Sequence, residues 1–483
     1  MSIEMSVILL DKDSEIGKAL DLLAQPGVDV IFLVEGKRLV ASLTNGDIRR
    51  GFAKGATNKS KLMDLANLKP LFVRANFTSL EIYKLFQNGV THLPILNSTD
   101  EVVEILDQSY QGVIPISEPN IGPREIELVN AALTSNWISS SGVYIEDFER
   151  MFANFIDTKY SLAVSNGTQA IALALLALGI MPGDEVIVPS LTFGATANAV
   201  IQIGAVPVFI DIEEDSYAIN PSLISTQLSS KTRAIIVVHL YGKPARLTVI
   251  NEIAKNHNLL VIEDCAEAIG TYVLSNHVGS ITDAGTFSFF ANKTITTGEG
   301  GMVTFKSREV YEKAKLIRSH GFDPVNRYWH KTWGTNMRLT NLQAAIGVAQ
   351  LERIDELISK KLLIAEVYNK MFSEIEIEKI LPRFDFTWGK ESFWLYTIEF
   401  EQSTDVEAIV GYLANNQIET RRIFHPLPIQ PAFETYNKSK LAFPVAKKKY
   451  EQGLCLPSST NITERQIQKV VQTIAKYFST QKN

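Results

Sequence analysis

One lysine of this chain stands in a setting that suggests chemistry. Residues 289–303 read FFANKTITTGEGGMV, so Lys293 follows two aromatic residues and precedes threonines and a glycine-rich run. A nucleotide phosphate loop needs a glycine directly before its lysine. Here Asn292 precedes Lys293 and the glycines follow it. The stretch is therefore not such a loop, and its role depends on which residues lie near Lys293.

The elements that position Lys293 can be read from about residue 124 onward, where short apolar runs alternate with helical patterns. Such alternation predicts a largely parallel sheet covered on both faces by helices. Ligands of open α/β sheets bind at the carboxyl ends of the strands, so partners of Lys293 are expected there. The runs are YSLAVSN, DEVIVPS, VPVFIDI, RAIIVVHL, LLVIEDC, AGTFSFF and GMVTF.

The first candidate partner is the turn after YSLAVSN. Gly167 and Thr168 stand where this strand gives way to the helical stretch GTQAIALALLALG. Free amides and the helix dipole at a helix N-terminus suit a phosphate group. The alternative is that Asn-Gly-Thr serves turn geometry alone.

Two further candidates follow other strands. Asp264 ends the apolar run LLVIED, and a carboxylate there is costly unless it meets a positive partner. Phe193 comes just after DEVIVP, where an aromatic ring can stack on a flat ligand. The alternatives are a helix-capping role for Asp264 and an ordinary core position for Phe193.

A phosphate cradle, a platform for a flat ring, a buried acid and a lone lysine together indicate one cofactor, pyridoxal 5′-phosphate (PLP). PLP binds proteins through a lysine Schiff base and has an acid on its ring nitrogen. The acid keeps that nitrogen protonated, and the lysine can move protons between carbon atoms once it is released.

Residues 120–483 resemble the DegT-type sugar-nucleotide aminotransferases, which are PLP enzymes of the aspartate aminotransferase fold (fold type I). The resemblance implies an α/β architecture with a mostly parallel large domain at 120–375 and a small C-terminal α/β domain at 376–483. The motifs that carry it occur in order: NWISSSGVYIEDFE, VSNGTQAIALAL, VIVPSLTF, VVHLYGKPA, VIEDCAEAIG, FSFFANKTITTGEGG, NMRLTNLQAAIG and GLCLPSS.

The resemblance assigns roles to the residues already named. It implies that Lys293 forms the Schiff base and transfers protons, and that Asp264 pairs with the ring nitrogen. Phe193 is then the stacking ring. The backbone amides of Gly167 and Thr168 bind the phosphate together with the Ser288 hydroxyl.

Two further positions follow from the same resemblance. Glu267 occupies the place near the cofactor hydroxyl where the family often carries His or Gln. Asn336, in NMRLT, is expected to reach the phosphate in the neighbouring subunit's site, which implies a homodimer or a higher homo-oligomer with shared sites. The alternative for Asn336 is a helix cap before LTNLQAAIG.

The implied reaction is transfer of an amino group from glutamate to a keto carbon of a nucleotide-linked 4-keto-6-deoxyhexose, for amino sugars of surface polysaccharides. The motifs around Lys293 and Asp264 most resemble those of family members that act at C4, and this resemblance favours C4 over C3. One alternative is a PLP-dependent sugar dehydratase, but those enzymes carry histidine at the position of Lys293. Another alternative is a nucleotide-sensing regulatory protein with an idle PLP domain.

Three histidines are candidates for the sugar pocket: His239 in VVHLYG, His425 in IFHPLP and, from a partner chain, His330 in RYWHKTWG. Each has the alternative of a hydrogen-bonded structural residue. No His/Cys cluster has metal-ligand spacing, so no metal is expected.

The first 115 residues contain a weak internal repeat, in which VIFLVEGKRLVASLTNGDI and HLPILNSTDEVVEIL both read as strand, turn, strand. This stretch resembles a pair of cystathionine-β-synthase (CBS) domains, an α+β module. In SLTNGDIRRG, Thr44 and Asp47 match the positions at which such domains contact the ribose and phosphate of a regulatory nucleotide. The alternative is helix N-capping.

The overall composition excludes several other classes. The net charge is −6 without a long run of either sign, which argues against nucleic acid as a partner. The longest apolar stretch is interrupted by prolines and polar residues, so no membrane span is predicted. The N-terminal residues lack the basic region of a secretory signal. With only Cys265 and Cys455, a disulfide framework is excluded and a cytoplasmic location is expected.

Overall fold

The computed structural model describes residues 8–25, 28–74, 82, 85–86, 89–107, 113–323, 325–326, 328–375, 377, 379–437 and 442–480. The chain forms two compact units, Met1–Val113 and Ile114–Asn483. The finer division predicted at residues 115, 120 and 375 stays a prediction.

The first unit contains two small sheets of the same design. In each sheet the first two strands are parallel and the last two are antiparallel, as expected for an internal repeat. The elements are β1 Leu9–Asp11, α1 Ile16–Leu23, β2 Val30–Glu35, β3 Arg38–Thr44, α2 Asn45–Ala53, a 3₁₀ turn Leu62–Asp64, β4 Val73–Arg74, β5 His92–Leu96 and β6 Val102–Asp107.

The second unit is built on one seven-stranded sheet, and each of the seven predicted runs supplies one of its strands. The order is β7-β15-β14-β11-β10-β8-β9. Neighbours from β14 through β9 are parallel, and only β15 is antiparallel to the strands beside it. The predicted mostly parallel α/β sheet is confirmed. Its strands are β7 Tyr160–Val164, β8 Glu185–Pro189, β9 Val206–Ile210, β10 Thr232–Val238, β11 Leu260–Asp264, β14 Ala284–Ser288 and β15 Gly301–Phe305.

Helices cover both faces of this sheet. Along β10, Ile236 packs into one apolar core while Ile235 and Val237 pack into the other, because successive strand residues point to opposite faces. The helices between residues 123 and 374 are α3 Pro123–Thr134, α4 Val143–Ile156, α5 Gly167–Leu178, α6 Ala195–Gln202, α7 Pro221–Ile224, α8 Leu247–Asn256, α9 Arg308–Arg318, α10 Asn341–Glu352 and α11 Ile354–Glu374.

The remainder of the second unit has a three-stranded antiparallel sheet in the order β17-β19-β18, with its own apolar core. A separate small sheet pairs β12 with β13 and β16. Within the described residues, no helix combines the length and the apolarity needed to cross a membrane. The elements are β12 Tyr272–Val273, β13 Asn276–His277, β16 Gly389–Lys390, β17 Tyr396–Glu399, α12 Val406–Asn415, β18 Arg421–Arg422, α13 Pro444–Gln452, β19 Gly453–Leu456 and α14 Glu464–Thr480.

Candidate active site

A cavity of about 670 Å³ opens at the carboxyl ends of the central strands of the second unit. Its wall combines strand ends, the start of α5 and residues from the C-terminal region. This is the place at which an α/β sheet binds its ligands. Seven of the predicted site residues line it: Gly167, Thr168, Phe193, Asp264, Glu267, Ser288 and Lys293.

Lys293 reaches the cavity from the loop that follows β14. Its Nζ lies 3.5 Å from Glu267 Oε1 and 4.0 Å from the ring centroid of Trp394. Burial lowers the pKa of the Lys293 ammonium, and the carboxylates of Glu267 and Asp264 oppose that shift. A lowered pKa increases the fraction of neutral amine, which is the nucleophilic form.

Asp264, the last residue of β11, lines the cavity. Its Oδ2 accepts a hydrogen bond of 2.8 Å from the Thr196 hydroxyl, and its Oδ1 accepts one of 3.1 Å from the amide of Ala266. Burial raises the pKa of the Asp264 carboxyl, whereas these hydrogen bonds and Lys293 lower it. The carboxylate is thus held in one orientation and faces a cationic neighbour.

The N-terminus of α5 also lines the cavity. Asn166 caps the helix by accepting from the amide of Gln169 at 2.9 Å. Among the described residues, the amides of Gly167 and Thr168 have no protein acceptor. A Cβ at Gly167 would lie 2.9 Å from Ser288 Cβ, so glycine lets the helix start approach Ser288 closely. The two free amides and the Ser288 hydroxyl form a cradle for an anion.

Aromatic rings complete the wall. The ring of Phe193 is 61% exposed and lies 5.8 Å from that of Phe424, measured between centroids. Behind them Tyr241 stacks between Phe424, at 5.6 Å, and Trp394, at 6.2 Å. The exposed Phe193 is available for a flat ligand, so its alternative as an ordinary core residue is wrong.

Glu267 lies beside Lys293 and is also fixed by the backbone. Its Oε2 accepts a hydrogen bond of 3.0 Å from the amide of Tyr241. Burial raises the pKa of the Glu267 carboxyl, and the positive charge of Lys293 opposes the rise. The two opposite charges therefore stabilise each other in a site with little water, since the side chains of Lys293 and Glu267 are only 12% and 6% exposed.

The residues around the cavity fit PLP. Two free amides, a hydroxyl, a buried acid, an available aromatic face and a lysine line one cavity, and they match the groups that hold its phosphate, ring nitrogen, ring and aldehyde. Asp264, Lys293, Phe193 and the start of α5 would hold the cofactor.

The structure does not bring His239 to the cavity. This residue is fully buried, its Nε2 lies 3.2 Å from Glu263 Oε2, and its Nδ1 accepts from the amide of Ala245 at 3.1 Å. The assignment of His239 to the sugar pocket is therefore wrong for this chain, and the structural alternative holds. His239, Glu263 and Cys265 are grouped closely enough to hold a metal, but the first two are already committed to hydrogen bonds.

His425, His330 and Asn336 also lie away from the lining. The ring of His425 packs against that of Tyr450 at a tilt of 31°, with 3.9 Å between centroids. His330 is exposed, and its Nδ1 donates to the carbonyl of His320 at 2.7 Å.

Asn336 is exposed, and its side chain binds Arg338 at 3.0 Å. The cap of α10 is Thr340, so the helix-cap alternative for Asn336 is wrong. Contributions of His330 and Asn336 to a partner's site stay predictions.

In the first unit, Thr44 and Asp47 form a capping box at the start of α2. Asp47 Oδ2 accepts from the Thr44 amide at 2.9 Å and from its hydroxyl at 2.7 Å. Arg50 pairs with the other oxygen, Oδ1, at 2.5 Å. The capping alternative is thus present in the structure, and nucleotide binding by these residues stays a prediction.

Several lining residues escaped the sequence analysis: Thr196, Trp394, Arg421 and Phe424. Thr196 follows Phe193 by one helical turn, a spacing that could have placed it near the same ligand. Trp394, Arg421 and Phe424 come from the C-terminal region, where the hydrophobic pattern is sparse, and no local signal marks them.

Comparisons with known proteins agree with this geometry. The model of the DegT/DnrJ/EryC1/StrS aminotransferase family matches residues 119–475. GDP-perosamine synthase of Vibrio cholerae is 40% identical over 369 residues, which cover 76% of this chain and 100% of that protein. The first unit lies outside the family match, and its CBS resemblance stays unconfirmed.

Solved structures give the same answer. The aminotransferase from Psychrobacter cryohalolentis has a TM-score of 0.72 at 32% identity, over 76% of this chain and 100% of that one. Spr1654 of Streptococcus pneumoniae, in its PLP form, has a TM-score of 0.71 at 27% identity, over 75% and 98%. The chain therefore belongs to the DegT/DnrJ/EryC1/StrS aminotransferase family, and it is a pyridoxal-phosphate-dependent sugar-nucleotide aminotransferase.

Proposed function

We propose that this enzyme transfers the amino group of glutamate to C4 of a GDP-linked 4-keto-6-deoxyhexose, for polysaccharide amino-sugar synthesis. The proposal is supported by the similarity to GDP-perosamine synthase over that protein's full length. The observation that supports the chemistry is that Lys293, Asp264 and the start of α5 line one cavity.

When bound, PLP would supply the carrier chemistry by which an amino group moves from one substrate to the other. The protein residues position and move charge around that exchange. The amides of Gly167 and Thr168 bind phosphate, and Asp264 holds a proton on the ring nitrogen. Lys293 Nζ, whose pKa is lowered by burial, takes a proton from the reacting carbon of the donor and returns one to the acceptor carbon.

The dehydratase alternative is not favoured, because the base at this position is a lysine. Lys293 Nζ has a nearby carboxylate in Glu267, 3.5 Å away, which can help it to hold and release a proton. A catalytically idle PLP domain is also not favoured, because all the residues proposed to hold the cofactor line one cavity.

Assembly, location and regulation remain part of the proposal. A homodimer, with Asn336 and His330 reaching the partner's site, is supported by their exposure next to Trp329 and Trp333, which are 66% and 63% exposed. We propose a cytoplasmic enzyme whose first unit binds a regulatory nucleotide near Thr44 and Asp47.

The function is tested by steady-state turnover. Release of 2-oxoglutarate from glutamate should depend on the GDP-linked keto sugar, and NMR of the product should place nitrogen on C4. Lys293→Ala should lose turnover, while Lys255→Ala, which changes an exposed helical lysine, should retain it. Normal turnover by Lys293→Ala, or nitrogen on C3, would contradict the assignment.

A further inference from the structure

Arg421 is a cation of the active-site cavity that no described protein group neutralises. It lies in β18 and lines the same cavity as Lys293. Within the described chain, its guanidinium has no hydrogen bond or ion pair, whereas that of the adjacent Arg422 pairs with Glu407 and donates to the carbonyl of Tyr450 at 2.6 Å. Successive strand residues point to opposite faces. Arg422 therefore binds other parts of the protein, whereas Arg421 faces the cavity.

The charges of the lining indicate what Arg421 can bind. Among the described lining residues, the cations are Lys293 and Arg421, and the acids are Asp264, Glu267 and Glu299. Lys293 and Asp264 are occupied by the cofactor, so Arg421 is the cation left for a substrate. A guanidinium matches a planar carboxylate or a phosphate through two parallel hydrogen bonds, and burying either anion without such a partner is costly.

The two substrates of the proposed function, on which this inference rests, carry their charges in different places. An amino-acid donor has a carboxylate on the very carbon that bears the reacting amine. A nucleotide-linked hexose carries its diphosphate on C1, across the ring from C4. Arg421 is near enough to Lys293 to add to the lowering of its pKa, after the larger effect of burial. A charge at that place meets the donor's carboxylate rather than the distant diphosphate.

We propose that Arg421 binds a carboxylate of the amino donor and thereby selects an amino acid as the source of nitrogen. The residue sits on the short strand β18, held in register by pairing with Cys455 and Leu454 of β19. The guanidinium is thus presented from a fixed backbone rather than from a loop.

The test separates the two half-reactions. Holoenzyme carrying Arg421→Met or Arg421→Lys is mixed with glutamate, and loss of the lysine-bound cofactor absorbance is followed at increasing donor concentration. The same proteins in the pyridoxamine form are then mixed with the GDP-linked keto sugar. Arg422→Lys is the matched control from the same strand.

We expect Arg421→Met to raise the donor concentration for half-maximal rate by about 10- to 100-fold, as for loss of a charge-assisted bond. Arg421→Lys should raise this donor concentration by a smaller factor, because the positive charge is kept. The sugar half-reaction should change by less than about threefold, and Arg422→Lys should leave both half-reactions in place. Parallel runs with glutamine tell which carboxylate is bound: equal losses indicate the α-carboxylate, and a loss confined to glutamate indicates the side chain.

A weakened sugar half-reaction with an unchanged donor half-reaction would overturn the proposal and assign Arg421 to the diphosphate. No change in either half-reaction would also overturn it. Failure of the wild-type enzyme to react with the keto sugar would sink the proposed acceptor alone, because the donor half-reaction is measured without any sugar.

Discussion

Lys293 Nζ lies 3.5 Å from Glu267 Oε1, and both groups are almost sealed from solvent. Such a pair has a strong mutual effect on protonation, since little water screens it. The negative charge of Glu267 raises the pKa of Lys293, against the larger lowering by burial. The pH at which Lys293 becomes a nucleophile is therefore set in part by Glu267.

Glu267→Gln should shift the capture of PLP by the apoprotein to lower pH. The amide oxygen of glutamine can still accept from the Tyr241 backbone, but the charge that raises the pKa of Lys293 is gone. The midpoint of the capture rate against pH, followed by cofactor absorbance, is expected to fall, because the Glu267 charge raises the pKa of Lys293. Glu252→Gln, which removes an exposed helical carboxylate, serves as the control. An unchanged midpoint would remove Glu267 from this role.

Thr196→Val should move the acid limb of the activity profile to higher pH. The Thr196 hydroxyl donates to Asp264 Oδ2 at 2.8 Å and lowers the pKa of that carboxyl. Without it the pKa of Asp264 rises, so the ionised form needed by the ring nitrogen is lost at a higher pH. The check is kcat/KM for the acceptor against pH. Thr304→Val, which loses a buried hydroxyl bond to the Gly279 carbonyl, should leave the limb in place.

Lys361 is a buried lysine whose ammonium, among the described residues, donates hydrogen bonds to backbone carbonyls and pairs with no carboxylate. Its Nζ donates to the carbonyl of Trp394 at 3.0 Å and to that of Ser458. Burial lowers the pKa of Lys361 to about 7. The unfolded chain keeps this proton up to its ordinary pKa of 10.5, so between those values it holds more protons than the folded chain. The free energy of unfolding must then rise with pH.

Lys361→Met should remove this contribution. Relative to the variant, the wild type should gain up to about 1.4 kcal/mol of unfolding free energy per pH unit above pH 7. Urea denaturation at pH 7, 8 and 9 measures the difference. Lys360→Met, which removes a neighbouring lysine whose side chain is 40% exposed, controls for loss of a lysine. Parallel curves for wild type and Lys361→Met would show that Lys361 titrates normally.

Asp47→Asn tests the first unit. In the structure Asp47 is engaged by Thr44 and Arg50, so a nucleotide would have to share or replace these bonds. If the unit binds a nucleotide as its CBS resemblance implies, calorimetry on the full chain should detect adenine or guanine nucleotides, and Asp47→Asn should weaken binding about tenfold. No heat with any of these nucleotides in the wild type would leave Thr44 and Asp47 with the capping role alone.

The sequence was most informative where one strand end or turn determines a position. Asp264, Ser288 and Gly167 each stand at the end of a strand or the start of a helix, and parallel strands bring such residues to one edge of the sheet. His239 directly follows β10, but there the chain turns through Tyr241 at φ 57°, and the imidazole lies against Glu263. Local pattern does not encode that choice.

Arg421 and Trp394 could not be predicted as site residues from the sequence, for a different reason. They enter the cavity from the C-terminal region, whose short strands depend on packing with distant segments. Trp394 is held by its indole N–H to the carbonyl of Asn292, at 2.8 Å, beside Lys293 in the chain. Contacts of that kind join residues far apart in sequence and carry no periodic signal.

The most direct test starts from enzyme converted to its pyridoxamine form by glutamate and freed of the keto acid. GDP-, UDP- and dTDP-linked 4-keto-6-deoxyhexoses are then offered separately, and the absorbance of the lysine-bound cofactor is recorded in a single turnover. We predict that it returns with the GDP-linked sugar and only slowly, or not at all, with the others. If the absorbance returned with none of the three sugars, despite prior conversion by glutamate, the sugar-nucleotide assignment would be contradicted.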